Sequence, residues 1–163
     1  MRNIIAAGIA ISFFAAAGPA LAQTATTTFN VTMTITSSCQ INSATNMDFG
    51  SSGVIAANRD ATSTITVQCT NGTGYTIGLN AGSTTGGTIA TRLMSGAGGA
   101  TIGYSLYSDV ARNTYWGNTI GTNTVSGTGN GAAQPYTVYG RVPPQTTPAA
   151  GPYTDTVTAT LNY

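Results

Sequence analysis

In the stretch from Thr26 to Thr36, apolar and small polar residues alternate one for one from Thr28 onward. Phe29, Val31, Met33 and Ile35 fall on one side of an extended chain, and Asn30, Thr32, Thr34 and Thr36 on the other. The same period-two pattern recurs to the end of the sequence. Thr62–Thr70 sets Ile65, Val67 and Cys69 against Thr62, Thr64, Thr66, Gln68 and Thr70. Tyr75, Ile77 and Leu79 alternate next, after the turn signal Asn71-Gly72-Thr73-Gly74. A short run, Thr91–Met94, lies between the loop-forming stretches 82–87 and 95–99. Ile102, Tyr104 and Leu106 form a further inward set. The Gly/Thr/Asn-rich stretch 118–133 reads as a long hairpin loop, with an edge strand at 122–125. Tyr136, Val138, Gly140 and Val142 alternate until Pro143-Pro144 stops them. In the final run Tyr153, Asp155, Val157, Ala159, Leu161 and Tyr163 share one face, while Thr154, Thr156, Thr158, Thr160 and Asn162 share the other. Short strands at this spacing, without sustained helical periodicity after the first residues, predict an all-β sandwich.

An immunoglobulin-like sandwich closes with a last strand paired to the one before it. If 153–163 is the penultimate strand, the sheet lacks its closing strand, and unpaired backbone and core are left in a groove. The amphipathic segment 29–35 is then free either to pair within its own domain or to fill such a vacancy in a neighbour. Burying one apolar side chain stabilises by about 1.5–3 kcal/mol. Phe29, Val31, Met33 and Ile35 together would contribute on the order of 6–12 kcal/mol as an upper bound, comparable with the stability of a whole domain.

The beginning of the chain adds a compartment. Arg2-Asn3, the apolar run from Ile4 to Ala17 and Ala20-Leu21-Ala22 have the form of a secretory signal peptide cleaved after Ala22. This expectation gives three parts: 1–22 signal peptide, 23–38 N-terminal segment and 39–163 domain. The apolar run is short for a bilayer span, and nothing later resembles one, so no integral membrane anchor is expected. Two cysteines in an exported chain predict one disulfide, Cys39–Cys69, closing a loop of 69 − 39 = 30 residues.

Charge narrows the function. Only 6% of the residues are charged, and Lys, Glu and His are absent. Removing Arg2 leaves four Arg (59, 92, 112, 141) against four Asp (48, 60, 109, 155), a formal balance of zero. No basic field exists to hold nucleic acid. Little repulsion opposes packing of copies against one another. Without His, Glu or Lys, proton-transfer and triad chemistry have no partners, so the chain reads as a non-enzyme with no cofactor. Dispersed Asp residues make no calcium loop, and no His or second Cys pair supplies a metal site. Asp48 fits a turn, and Asp109 with Arg112 an ion pair fixing a loop. Trp116, Tyr107, Tyr115, Tyr136 and Tyr139 read as core or packing aromatics, with an exposed sugar-binding patch as the alternative.

Several motifs together resemble the spore coat protein U domain family, which includes the Csu-type (archaic) chaperone–usher pilus subunits. They are Cys39-Gln40-Ile41, Met47-Asp48-Phe49-Gly50, Thr64-Ile65-Thr66-Val67-Gln68-Cys69, and Tyr104-Ser105-Leu106-Tyr107-Ser108-Asp109 with Arg112 and Trp116-Gly117. Tyr139-Gly140-Arg141-Val142-Pro143, with Gln145 and the run from Gly151 to Val157, completes the set. The similarity runs from about Phe29 to Tyr163. It implies an incomplete immunoglobulin-like sandwich, completed by a donated strand. The implied partners are a periplasmic chaperone, an outer-membrane usher and identical or related pilin subunits. Carried onto this sequence, the donor strand is Phe29, Val31, Met33 and Ile35. The chaperone-facing acceptor strand runs from Tyr153 to Tyr163, with Val157, Ala159 and Leu161 lining the groove. The function so implied is a surface fibre for adhesion and biofilm formation, reached by export through the periplasm of a Gram-negative-type envelope. The alternatives are a secreted spore or cell coat protein of the same fold and a monomeric carbohydrate-binding sandwich.

Overall fold

The protein is described by a computed structural model covering residue 18 and residues 21–163. The expected signal peptide, 1–22, lies outside the described residues apart from Gly18, Leu21 and Ala22. The chain divides into two units, Met1–Thr34 and Ile35–Tyr163. Among the described residues of the first unit there is no helix and no strand ladder. The second unit is all-β.

Eight strands follow in order: β1 (Cys39–Ala44), β2 (Arg59–Cys69), β3 (Gly74–Leu79), β4 (Arg92–Ser95), β5 (Thr101–Tyr107), β6 (Val125–Thr128), β7 (Ala133–Val142) and β8 (Ala159–Asn162). A single 3₁₀ turn, Ala97–Gly99, separates β4 from β5. Five strands form one sheet in the order β1-β2-β7-β5-β4, and three form the other, β6-β3-β8. Every neighbouring pair is antiparallel. The fold is that of an immunoglobulin-like sandwich.

Alternation decides which side of each strand is inside. Ile65, Val67 and Cys69 of β2, Tyr75, Ile77 and Leu79 of β3, Tyr104 and Leu106 of β5, and Val138 and Val142 of β7 are buried in one core. Their Thr and Gln neighbours stay at least partly exposed. Gly140 occupies an inward position on β7 because a side chain there would strike Met47 and Phe49. At Asn71-Gly72 the expected turn forms, with Gly72 at φ +81° and the Thr73 N–H donating to the Thr70 carbonyl at 3.0 Å. Asp48 is a turn residue as expected, accepting from the Gly50 N–H at 2.7 Å. The edge strand expected at 122–125 lies a little later, at Val125–Thr128. Residues 119–123 are held in tight turns by Thr122 and Asn123 N–H groups donating to the Thr119 carbonyl.

Two side chains brace this frame. Cys39 and Cys69 face each other across β1 and β2 and are disulfide-bonded. Arg92, at the start of β4, is fully buried. It faces no carboxylate at ion-pair distance; instead its guanidinium donates to the carbonyls of Asn80 (2.8 Å), Ile89 (3.0 Å), Leu79 (3.3 Å) and Trp116 (2.7 Å). Burial lowers its pKa, opposed by the nearby Tyr104 and Asp155. Guanidinium remains charged all the same, so one cation gathers the end of β3, the 89–92 turn and the Trp116 loop. Trp116 is itself buried and donates its indole N–H to the Ile77 carbonyl at 2.9 Å.

Arg92→Met should leave those carbonyls without their donor and destabilise the domain by at least about 3 kcal/mol, read as a lower urea midpoint. The Cys39→Ser/Cys69→Ser double variant should lose about 3–4 kcal/mol, the loop-closure value for a loop of this length, in the same titration.

Candidate functional site: a free strand edge over an open seam

Residues 153–163 are half-buried at every odd position from Tyr153 to Leu161 and exposed at every even one. The predicted alternation therefore extends over the whole run, although ladder pairing is confined to Ala159–Asn162. Upstream, isolated backbone bonds and side chains take the place of a continuous ladder. Thr154 exchanges both hydrogen bonds with Ser95 (2.8 and 3.0 Å). The Thr156 N–H donates to Ser83 Oγ, the Thr158 N–H to Asn80 Oδ1, and the Thr158 carbonyl accepts from the Asn80 N–H.

All of these bonds run through even-numbered residues. N–H and C=O of one residue in an extended strand point to the same side, and the next residue points to the other. The odd residues therefore turn their backbone groups away from β3. Among the described residues none of the loop or bridge bonds uses the N–H or C=O of Tyr153, Asp155 or Val157, and the same alternation turns Ala159 and Leu161 outward. The result is a free edge about five hydrogen-bonding residues long. Beneath it, Val157, Ala159 and Leu161 pack against the core without being fully buried.

The facing border of the other sheet is equally uncovered. β1 and β8 approach each other as edge strands, yet β1 has only Cys39 partly buried and leaves Ile41 37% exposed. At the end of the seam away from the disulfide opens a cavity of about 620 Å³, lined by Met47, Phe49, Met94, Ile102, Val142 and Tyr153 among others. Its lining is mixed, with thioether and aromatic groups on the core side and Asp48, Ser51, Arg59 and Thr147 at the rim, so an apolar side chain would find its contacts at the core side. Tyr153 is anchored by its hydroxyl to the Ala149 carbonyl at 2.7 Å. Tyr163 is 66% exposed and lies past the ladder.

Asp155 fixes the strand above this seam. One carboxylate oxygen accepts from the Ser83 and Thr84 N–H groups and both their hydroxyls, and the other from the Tyr104 hydroxyl at 2.7 Å. Gly82, at φ +90°, is needed beside it because a side chain there would strike the carboxylate. Burial alone would raise the Asp155 pKa, but the hydrogen bonds from Tyr104 and Ser83 outweigh it and hold the group below the usual range. The sequence placed Asp155 on the inward face without a partner, since Ser83 and Thr84 lie in a loop with no periodic signal.

Other candidates resolve differently. Arg112 does not pair with Asp109. It meets Asp60 at 3.4 Å, and Arg141 grips the same carboxylate at 2.7 and 2.8 Å across the β2–β7 register. Asp109 caps its own turn, accepting from the Asn113 and Thr114 N–H groups. Trp116 is buried, Tyr136 meets the Tyr75 hydroxyl at 2.7 Å, and Tyr107 stacks on Tyr115 at 5.0 Å. These are packing roles, and no continuous aromatic platform results.

Phe29, Val31 and Met33 are each more than four-fifths exposed, and Ile35 is 67% exposed. The chain thus carries both an alternating apolar segment and an apolar seam.

The Spore Coat Protein U domain matches residues 25–160. The chain belongs to that family. It is 33% identical to Protein U of Myxococcus xanthus, in an alignment covering 100% of this chain and 98% of the relative. Its fold is similar to one in the crystal structure of the CsuC-CsuE chaperone–tip adhesion subunit pre-assembly complex from the archaic chaperone-usher Csu pili of Acinetobacter baumannii. The TM-score is 0.58 with 21% identity, over 80% of this chain. This chain spans 41% of that one.

Asp155→Asn should weaken the domain at neutral pH by on the order of 2 kcal/mol, the scale of hydrogen bonds to a charged group. Because the folded-state pKa is depressed, the wild-type contribution is fully present above the ordinary Asp value of about 3.9 and is lost as pH falls through the folded value. Urea midpoints measured from pH 7 down to pH 2 should therefore converge for the two proteins at the acid end.

Proposed function

We propose that this chain is a structural subunit of a surface fibre, assembled by strand donation through the chaperone–usher pathway. The free edge of 153–163 above an apolar seam carries the reading. In this reading Phe29, Val31, Met33 and Ile35 of one subunit enter the seam of the next, and Val157, Ala159 and Leu161 line it. Alternate side chains of an extended strand stand about 6.8 Å apart, the same repeat on donor and acceptor. A periplasmic chaperone holds the seam first, and an outer-membrane usher catalyses the exchange. Such a fibre serves adhesion and biofilm formation at the cell surface. The fold likeness to a pilus subunit and the membership of the family support the assignment. Among the described residues no helix is long and apolar enough to cross a membrane.

A second reading is favoured by the match to Protein U along its whole length: strand donation between copies building a coat layer without an usher. The monomeric sugar-binding reading loses its main feature with the burial of Trp116.

Met33→Asp would carry a charge into the seam, at a cost of several kcal/mol. It should abolish the ladder of multimers seen on an unboiled SDS gel of protein sheared from cells, as should deletion of 23–36. A full ladder from either variant would refute the donor assignment. A ladder that persists without the chaperone and usher would favour the coat reading.

A further inference from the structure

The donor segment and the seam belong to one chain, so each subunit has two possible partners for its seam: another copy or its own N-terminus. The root of the segment decides between them. Cys39 stands opposite Cys69, and the ladder continues one residue further, with the Thr70 N–H donating to the Ser38 carbonyl at 2.9 Å. The Thr70 hydroxyl then holds the approach. It accepts from the Ser38 N–H at 3.1 Å and lies 3.2 Å from the Thr36 carbonyl and 3.3 Å from the Ser38 carbonyl. Thr36–Ser38 therefore continue the line of β1 past the end of the sheet.

For Ile35 and the residues before it to enter the seam beside their own β1, the chain must reverse within residues 36–38. Those are the residues that Thr70 holds by hydrogen bonds, and the disulfide fixes the next one. We propose that Thr70 is a positioning residue that denies the donor segment its own seam and directs it to a second copy of this chain. This rests on the strand-donation reading above. The hydroxyl is needed for its hydrogen bonds, so the isosteric loss Thr70→Val should release the root while the β-branched shape is kept.

The test uses the full mature chain, separated by size into monomer and multimers, with chymotrypsin cleavage after Phe29 followed by mass spectrometry. In the wild type, Phe29 should be cut rapidly in monomers and at least tenfold more slowly in multimers. Thr70→Val should give monomers in which Phe29 is protected as in multimers, with several-fold fewer multimers, and Thr70→Ser should behave as the wild type. Insertion of three glycines between Ile35 and Thr36, which lengthens the reversal without touching Thr70, should also give protected monomers and decides the matter if Thr70→Val fails to fold. Exposed Phe29 in monomers of both the Val variant and the insertion would overturn the role of Thr70, as would protected wild-type monomers. Equal cleavage of wild-type monomers and multimers would instead overturn strand donation itself.

Discussion

A strand edge in water is tolerable; a strand edge over exposed core is not. In this domain the two coincide along 153–163. The N–H and C=O groups of odd residues face outward above Val157, Ala159 and Leu161, which the rest of the chain covers only in part. Covering the edge with another strand satisfies the backbone and buries the side chains in one step. Neither half suffices alone, because a hydrogen bond exchanged for one with water contributes little, while apolar contact without backbone pairing has no fixed register. This joint demand makes a strand, rather than a small ligand, the fitting occupant.

An edge kept open needs a rigid setting, and the domain supplies it with polar groups away from the seam. Arg92 ties carbonyls from three stretches of chain, and Asp155 gathers loop 82–84 onto the start of the last strand. Tyr104 links the two, donating to Asp155 while its ring lies in the core. The even-numbered face of the last strand is thereby committed to β3, Asn80, Ser83 and Ser95. Only the odd-numbered edge is left for a partner. The strand is held half-finished by side-chain bonds instead of being allowed to collapse over the gap.

Most of this was legible as period two. Strands β2, β3, β5 and β7 lie where apolar residues alternate with Thr, Ser, Gly or other non-apolar neighbours, because one face of each must enter the core, although Gly78, Ser105 and Tyr107 are buried on the other face as well. The sandwich and the disulfide followed from the same reading and from the compartment. What was not legible depended on contacts remote in sequence. Arg92 is a single cation at the head of a four-residue strand, and nothing local announces that four carbonyls converge on it. Arg112 stands three residues from Asp109 yet meets Asp60 instead, because the β2–β7 register brings Asp60 and Arg141 together and Arg112 joins them. Ladder pairing in the last strand is shorter than the alternation, since Asn80 and Ser83 side chains take over from backbone upstream of Ala159.

The scarcity of charge gains a physical sense from this arrangement. All four Asp residues are committed to specific partners: Asp60 to two arginines, Asp48 and Asp109 to their own turns and Asp155 to loop 82–84. Arg92 is buried, and Arg112 and Arg141 share Asp60. Almost no charge is left to give the surface a long-range field. The approach of identical copies is then neither steered nor opposed by net charge. In the strand-donation reading, specificity comes from short range, from the match between an alternating strand and an apolar seam. A uniformly charged surface would keep copies apart, and a uniformly apolar one would aggregate them without order. In the strand-donation reading, a Thr-rich surface of little net charge leaves the apolar seam beside 153–163 as the place of association.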